Sequence, residues 1–155
     1  MSESKVTYYE QHLRVERELA APPEKVFRAY TTPEQVEQWW GPASYTTRAE
    51  QLDARTGGAW RFVHVGQDGG EPEHAFRGVY HEVKENERIV QTFEYLGAPG
   101  HVSLETMEFE PTEQGTRLTA TAVFGAPEAL EAMKDTGMEE GMLETYDRLA
   151  ALVEA

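Results

Sequence analysis

Two side chains stand where a binding or proton-transfer site would need them. Glu105 is in phase with Ser103, Met107 and Phe109 along the strand-like segment Val102–Glu110, and His64 is in phase with Trp60 and Phe62 along Ala59–Val65. A carboxylate among apolar neighbours is costly unless something pairs with it. Glu105 therefore either anchors a polar group of a ligand or meets solvent where its strand reaches the rim of the sheet. His64 lies near the turn Asp68-Gly69-Gly70, which favours a solvated rim histidine over a catalytic base. If a reaction takes place, these are the two groups that would move a proton.

Other chemistry is poorly served. The chain has no cysteine, which excludes disulfides, thiolate metal sites and cysteine nucleophiles. Its five histidines, His12, His64, His74, His81 and His101, show no HxxxH or HExxH spacing. His64 and His74 can face each other across a hairpin, but two ligands do not make a metal site, so neither a metal nor a cofactor is expected. Gly57-Gly58 and Gly69-Gly70 fit neither GxGxxG nor GxxxxGK, and no GxSxG nucleophile elbow is present. The acidic runs Glu71-Pro72-Glu73 and Glu139-Glu140 read as solvated surface, and Glu82 with Arg88 as a structural ion pair flanking one hairpin.

The elements that must position Glu105 and His64 follow from periodicity and turn signals. Residues 1–11 carry no clear period and read as a loose terminus. From His12 to Ala20 the pattern alternates, with Leu13, Val15 and Leu19 on one face and Arg17 the single flaw in it. Pro22-Pro23 opens a short helix to about Thr31, on which Val26, Phe27 and Tyr30 share a face. Thr32, Pro33 and Gln35 form a capping box for a second short helix that carries Val36, Trp39 and Trp40 and stops at Gly41-Pro42.

Six further strands are expected at Tyr45–Asp53, Ala59–Val65, His74–Val83, Arg88–Leu96, Val102–Glu110 and Thr116–Phe124. The short turns between them favour an antiparallel meander. Pro127–Lys134 reads as a short helix with Leu130 and Met133 inward. Thr136-Gly137-Met138-Glu139 is a second capping box, opening a helix towards Val153 with a stripe of Met138, Met142, Tyr146, Leu149 and Val153. The stripe needs a surface to cover, and the concave face of the sheet is the large one on offer. The fold class is therefore α+β, with a curved antiparallel sheet wrapped around a long C-terminal helix and two short helices after the first strand.

Inward strand phase collects bulky rings beside Gly78, Ala120 and Ala122, and one helix on a curved sheet leaves space, so a cavity is expected. Its expected lining is Trp40, Trp60, Phe62, Phe76, Phe93, Tyr95, Met107, Phe124, Met133, Met138, Met142 and Tyr146, with Glu105 or His64 at its polar end.

The order of segments resembles a known superfamily. Val26-Phe27-Arg28-Ala29-Tyr30-Thr31-Thr32-Pro33-Glu34, Trp39-Trp40-Gly41-Pro42, Gly57-Gly58, Phe76-Arg77-Gly78-Val79-Tyr80-His81-Glu82-Val83, Glu87-Arg88-Ile89-Val90, Gly115-Thr116-Arg117-Leu118 and Gly137-Met138-Glu139-Glu140-Gly141-Met142 follow one another as in the helix-grip (START/SRPBCC) superfamily. Within it the chain is most similar to the domain of activators of the heat-shock-protein-90 ATPase, also found in many small bacterial proteins. The resemblance spans residues 12–154, and residues 12–155 are expected to form one such domain. Many relatives carry Trp where this chain has Met142, a loss of bulk that would enlarge the cavity. The resemblance implies a fold that binds hydrophobic ligands, in a group that includes lipid carriers, polyketide cyclases, hormone receptors and chaperone activators.

Composition bounds the partners. At 155 residues, 39% hydrophobic and 10% aromatic, the chain is long and apolar enough to bury one core. Its formal net charge of −14 opposes contact with nucleic acid or anionic membranes. No apolar run approaches a membrane span and no signal core opens the chain, so a cytoplasmic location is expected. The residues favour a non-catalytic carrier or sensor of a small apolar molecule. The alternatives are a cyclase-like or hydrolase-like enzyme using the same cavity, and an activator that touches a chaperone ATPase through its surface. A homodimer through a sheet edge or the Trp39-Trp40 region is a further expectation.

Overall fold

The computed structural model describes residues 2–155. Alternating residues build its strands: β1 (Lys5–Tyr9), β2 (His12–Leu19), β3 (Tyr45–Leu52), β4 (Ala59–Gly66), β5 (Pro72–Lys84), β6 (Arg88–Tyr95), β7 (Val102–Pro111) and β8 (Thr116–Val123). All neighbours are antiparallel in one sheet of order β1-β2-β8-β7-β6-β5-β4-β3. The meander β3–β8 is closed against β2, so the beginning and the end of the sheet's chain lie side by side. Helices α1 (Pro23–Thr31) and α2 (Pro33–Trp39) bridge β2 to β3, and α3 (Pro127–Lys134) and α4 (Met138–Val153) follow β8.

The core lies between the inner face of this curved sheet and α4. Leu149, Ala150 and Val153 are buried there with Val15, Leu19, Trp60, Ile89, Met107, Phe109 and Leu118, while Met142 and Tyr146, nearer the start of α4, are only partly covered. That difference along one helix is the origin of the cavity.

Residues 5–9 correct the expectation of a loose terminus: they form β1, in register with β2 from Lys5–Glu16 to Tyr9–His12. An edge strand of this kind is held by backbone hydrogen bonds more than by burial, so alternating exposed and half-buried residues give little periodic signal. Met1 lies outside the described residues. The segment also resolves the flaw in β2. Arg17 is buried, and its guanidinium donates to Asp147 of α4 at 2.6 Å and to the hydroxyls of Ser2 and Ser4 at 3.2 Å each.

Both helix starts were legible, but their caps differ from the expected boxes. Thr32 is the N-cap of α2 without a side-chain cap bond. The N-cap of α4 is Gly137 at φ +81°, and the Thr136 hydroxyl turns back to the Met133 carbonyl at 2.6 Å. Trp39 is buried, its indole N–H donating to the Ala29 carbonyl at 2.8 Å, and Trp40 is half-buried against the core. The Glu82–Arg88 pair forms at 2.6 Å.

Candidate functional site

The site begins at the end of α2. Trp40 is extended and Gly41 follows at φ +90°, so the chain turns sharply and aims the Trp40 ring at the sheet. Gly41 is required twice over: the positive φ disfavours a side chain, and a Cβ there would run into the His64 imidazole. Arg148 of α4 fixes the turn by donating to the carbonyls of Gly41 and Gln38, a cation set at a helix C-terminus. Trp40 lies over an aromatic floor, with Phe62 and Phe76 centroids at 5.1 Å, His64 at 5.3 Å and Trp60 at 6.2 Å.

Beyond that floor is a cavity of about 290 Å³, at the small end of the roughly 300–1,000 Å³ usual for ligand sites. The sheet contributes Phe76, Phe93, Glu105, Met107 and, after β8, Phe124; α2's end contributes Trp40; α3 and α4 contribute Met133, Met138, Met142 and Tyr146. Met133 is exposed as well, and so marks the mouth. Three expected members are elsewhere. Trp60 and Phe62 are buried beneath Trp40 and form core, not wall. Tyr95 points along β5, where its hydroxyl and His74 Nδ1 are hydrogen-bonded at 2.8 Å.

The lining also holds residues outside the expected list of walls: Leu13 and Val15 of β2, Tyr30 of α1, Val36 and Trp39 of α2, Thr145 of α4, and Gly41, Gln91, Ser103 and Thr121, together with Ala120 and Ala122, whose small inward side chains leave the space. Gln91, Ser103, Ala120 and Ala122 do carry inward strand phase, but short or polar side chains are weak markers of a wall. Tyr30 gives no signal beyond its helical spacing, because its hydroxyl meets the cavity only through packing across the sheet.

Glu105 belongs to the interior and not to a solvated rim. Register sets it opposite Gln91 on β6 and Ala122 on β8, and the Gln91 amide donates to its carboxylate at 2.9 Å. Its remaining surface opens into the cavity. Burial pushes its pKa up to about 7, against a smaller opposing effect of the Gln91 hydrogen bond. The phenols of Tyr30 and Tyr146 sit near this carboxylate, and burial first, then each other's proximity and its charge, hold Tyr30 well above the usual phenol range. Tyr146 is likewise raised, by burial and then by Glu105. The Tyr30 hydroxyl is buried and has no well-formed hydrogen bond.

His64 also departs from the rim reading, and like Glu105 it lines the cavity. It is buried, stacked on Tyr45 at 5.2 Å and 13°, and its Nε2 has no hydrogen-bond partner. Burial, with smaller contributions from His74 and Arg148, lowers its pKa to about 4, so the ring is neutral at pH 7. It does face His74 across the β4–β5 pair, with ring centroids 6.3 Å apart. Among the described residues no three His, Cys, Asp or Glu side chains group as metal ligands, and no helix is long and apolar enough to cross a membrane.

The comparisons with known proteins agree with this architecture. A family model described as Activator of Hsp90 ATPase homolog 1-like protein matches residues 20–154. A crystal structure of a Chromobacterium violaceum protein superposes with a TM-score of 0.81 at 30% identity, covering 94% of this chain and 98% of that one. A Mycobacterium smegmatis protein superposes with a TM-score of 0.86 at 26% identity, covering 99% and 98%. The AHSA1 protein of Silicibacter pomeroyi superposes with a TM-score of 0.72 at 29% identity, covering 90% and 95%. No curated protein matches the chain.

Proposed function

The chain belongs to the family of Activator of Hsp90 ATPase homolog 1-like proteins, and from that premise we propose that it is a non-catalytic carrier or sensor of one small apolar molecule. The observation that carries this reading is the cavity itself: about 290 Å³ between α4 and the sheet, walled by Met and aromatic side chains, with Glu105 and Gln91 among its few polar groups and His64 also on its wall. Apolar walls supply affinity and a few fixed polar groups supply orientation, the usual division of labour in a ligand site.

The register argues against a cyclase-like or hydrolase-like enzyme that uses both titratable candidates. Glu105 pairs with Gln91, which pairs with Tyr80, whereas His64 pairs with His74, six residues before Tyr80 along β5. The two groups therefore stand on well-separated rows and three strands apart, a poor arrangement for acting on one atom. The family's description supports a second reading, contact with a chaperone ATPase through the surface, which would not depend on the cavity.

One variant separates these readings. N-phenyl-1-naphthylamine, a neutral apolar fluorophore, should bind with a micromolar Kd and a rise in emission. Ala122 lines the cavity opposite Glu105, so Ala122→Trp should abolish that binding while costing about 1–3 kcal/mol of stability, the usual cost of overpacking. Fluorophore binding that survives unchanged in folded Ala122→Trp would rule out this cavity as the site. Native mass spectrometry of freshly purified protein should show a retained small molecule that the variant lacks.

A further inference from the structure

The Glu105 carboxylate, half-buried and open only towards the cavity, lacks the cationic partner that enclosed acids normally have. Buried carboxylates are almost always matched by a cation, because desolvation otherwise exceeds what neutral hydrogen bonds return. Here the one hydrogen bond comes from the neutral amide of Gln91. No Lys or Arg is among the residues that line the cavity. The buried Arg17 is committed to Asp147, and Arg148 to the carbonyls of Gly41 and Gln38. What adjoins the free side of the carboxylate is open cavity.

The surroundings share one chemical preference. With its N–H directed at Glu105, the Gln91 side chain presents its carbonyl oxygen as an acceptor, and the buried Tyr30 hydroxyl has no established partner. Tyr30, Tyr146 and Phe93 line the same space, and aromatic faces attract cations and not anions. An anionic ligand would meet a carboxylate with no compensating base. A neutral one would leave that carboxylate either protonated or unmatched.

We propose that the cavity takes an apolar amine, held as its ammonium ion against Glu105, with Gln91 and Tyr30 as further acceptors and its hydrocarbon body along Phe76, Met107 and Met142. The inference rests on the reading of the cavity as a ligand site and adds the class of ligand. An ammonium supplies the missing positive charge and up to three N–H donors at once. The formal net charge of −14 draws cations towards the protein before any contact is made.

The test compares two probes of nearly equal shape, 2-(1-naphthyl)ethylamine and 2-(1-naphthyl)ethanol, by isothermal titration at pH 8. The amine should bind about tenfold or more tightly than the alcohol, the usual worth of a hydrogen bond to a charged group. That preference should collapse to near unity in Glu105→Gln and persist in Glu105→Asp, which keeps the charge. Equal affinities in the wild-type protein, or a preference unchanged by Glu105→Gln, would overturn the amine assignment and leave the apolar cavity standing. Failure of both probes, together with failure of N-phenyl-1-naphthylamine, would overturn the ligand-binding reading itself.

Discussion

Glu105 and His64 are perturbed in opposite senses by the same cause, and this makes their effects on stability separable. For Glu105 the folded-state value of about 7 lies above the ordinary 4.5, so its contribution is complete below pH 4.5 and is lost as pH rises through about 7. For His64 the folded-state value of about 4 lies below the ordinary 6.5, so its contribution is present above pH 6.5 and is lost as pH falls through about 4. Between those ordinary values the two slopes oppose each other, and stability should be nearly flat. Glu105→Gln should match the wild-type protein at pH 5 and exceed it at pH 9 by up to about 3 kcal/mol, the free-energy equivalent of the shift. His64→Phe should flatten the acid limb instead. Urea denaturation across this range reads both, and a wild-type profile unaffected by either substitution would mean that neither group titrates as described.

At the scale of elements, α4 is the piece on which most of the fold depends, and its tie to β2 is a buried charge. Arg17 is almost fully buried while Asp147, 2.6 Å away, is 70% exposed. Removing the exposed partner leaves the guanidinium in the interior with only two serine hydroxyls. Asp147→Ala should therefore cost about 1–3 kcal/mol, Arg17→Met should cost less, and the double variant should be no worse than Asp147→Ala alone. Thermal melts of the three variants check the order. The same pair shows where the sequence was and was not informative. Alternation in β2 and the stripe from Met138 to Val153 place the helix on the sheet, because burial repeats at a period that can be read. Arg17 breaks that period, and its partners lie some 130 residues ahead and 13–15 behind, beyond any local pattern. Strand β1 went unread for a related reason, since it is held by backbone pairing. The cavity wall was legible where phase and bulk coincide, as at Phe76, Phe93 and Met107. Trp60 and Phe62 have the same phase, but Trp40 comes down from α2 and covers them, and no strand pattern contains that event.

At the scale of the whole molecule, charge imbalance and not ion pairing should govern the response to salt. Acidic residues number 28 against 14 basic ones, and several of the basic ones are already matched. Arg61–Glu50, Arg77–Glu94, Arg88–Glu82 and Arg117–Glu18 lie at 2.6–3.0 Å, each with at least one exposed partner. Such pairs are worth about 0–1 kcal/mol each and weaken with salt. Against them stands the mutual repulsion of the unmatched carboxylates, which compaction on folding increases. Raising sodium chloride from about 0.02 M to 0.3 M shortens the screening length from roughly 20 Å to about 6 Å, which removes most of that long-range repulsion while a close pair keeps part of its attraction. The melting temperature should rise by several degrees over this interval and level off beyond it. A fall would mean that the surface pairs outweigh the repulsion. The same screening should slow association of 2-(1-naphthyl)ethylamine while leaving that of the alcohol unchanged, because the acidic field acts on the ammonium ion before it reaches the cavity.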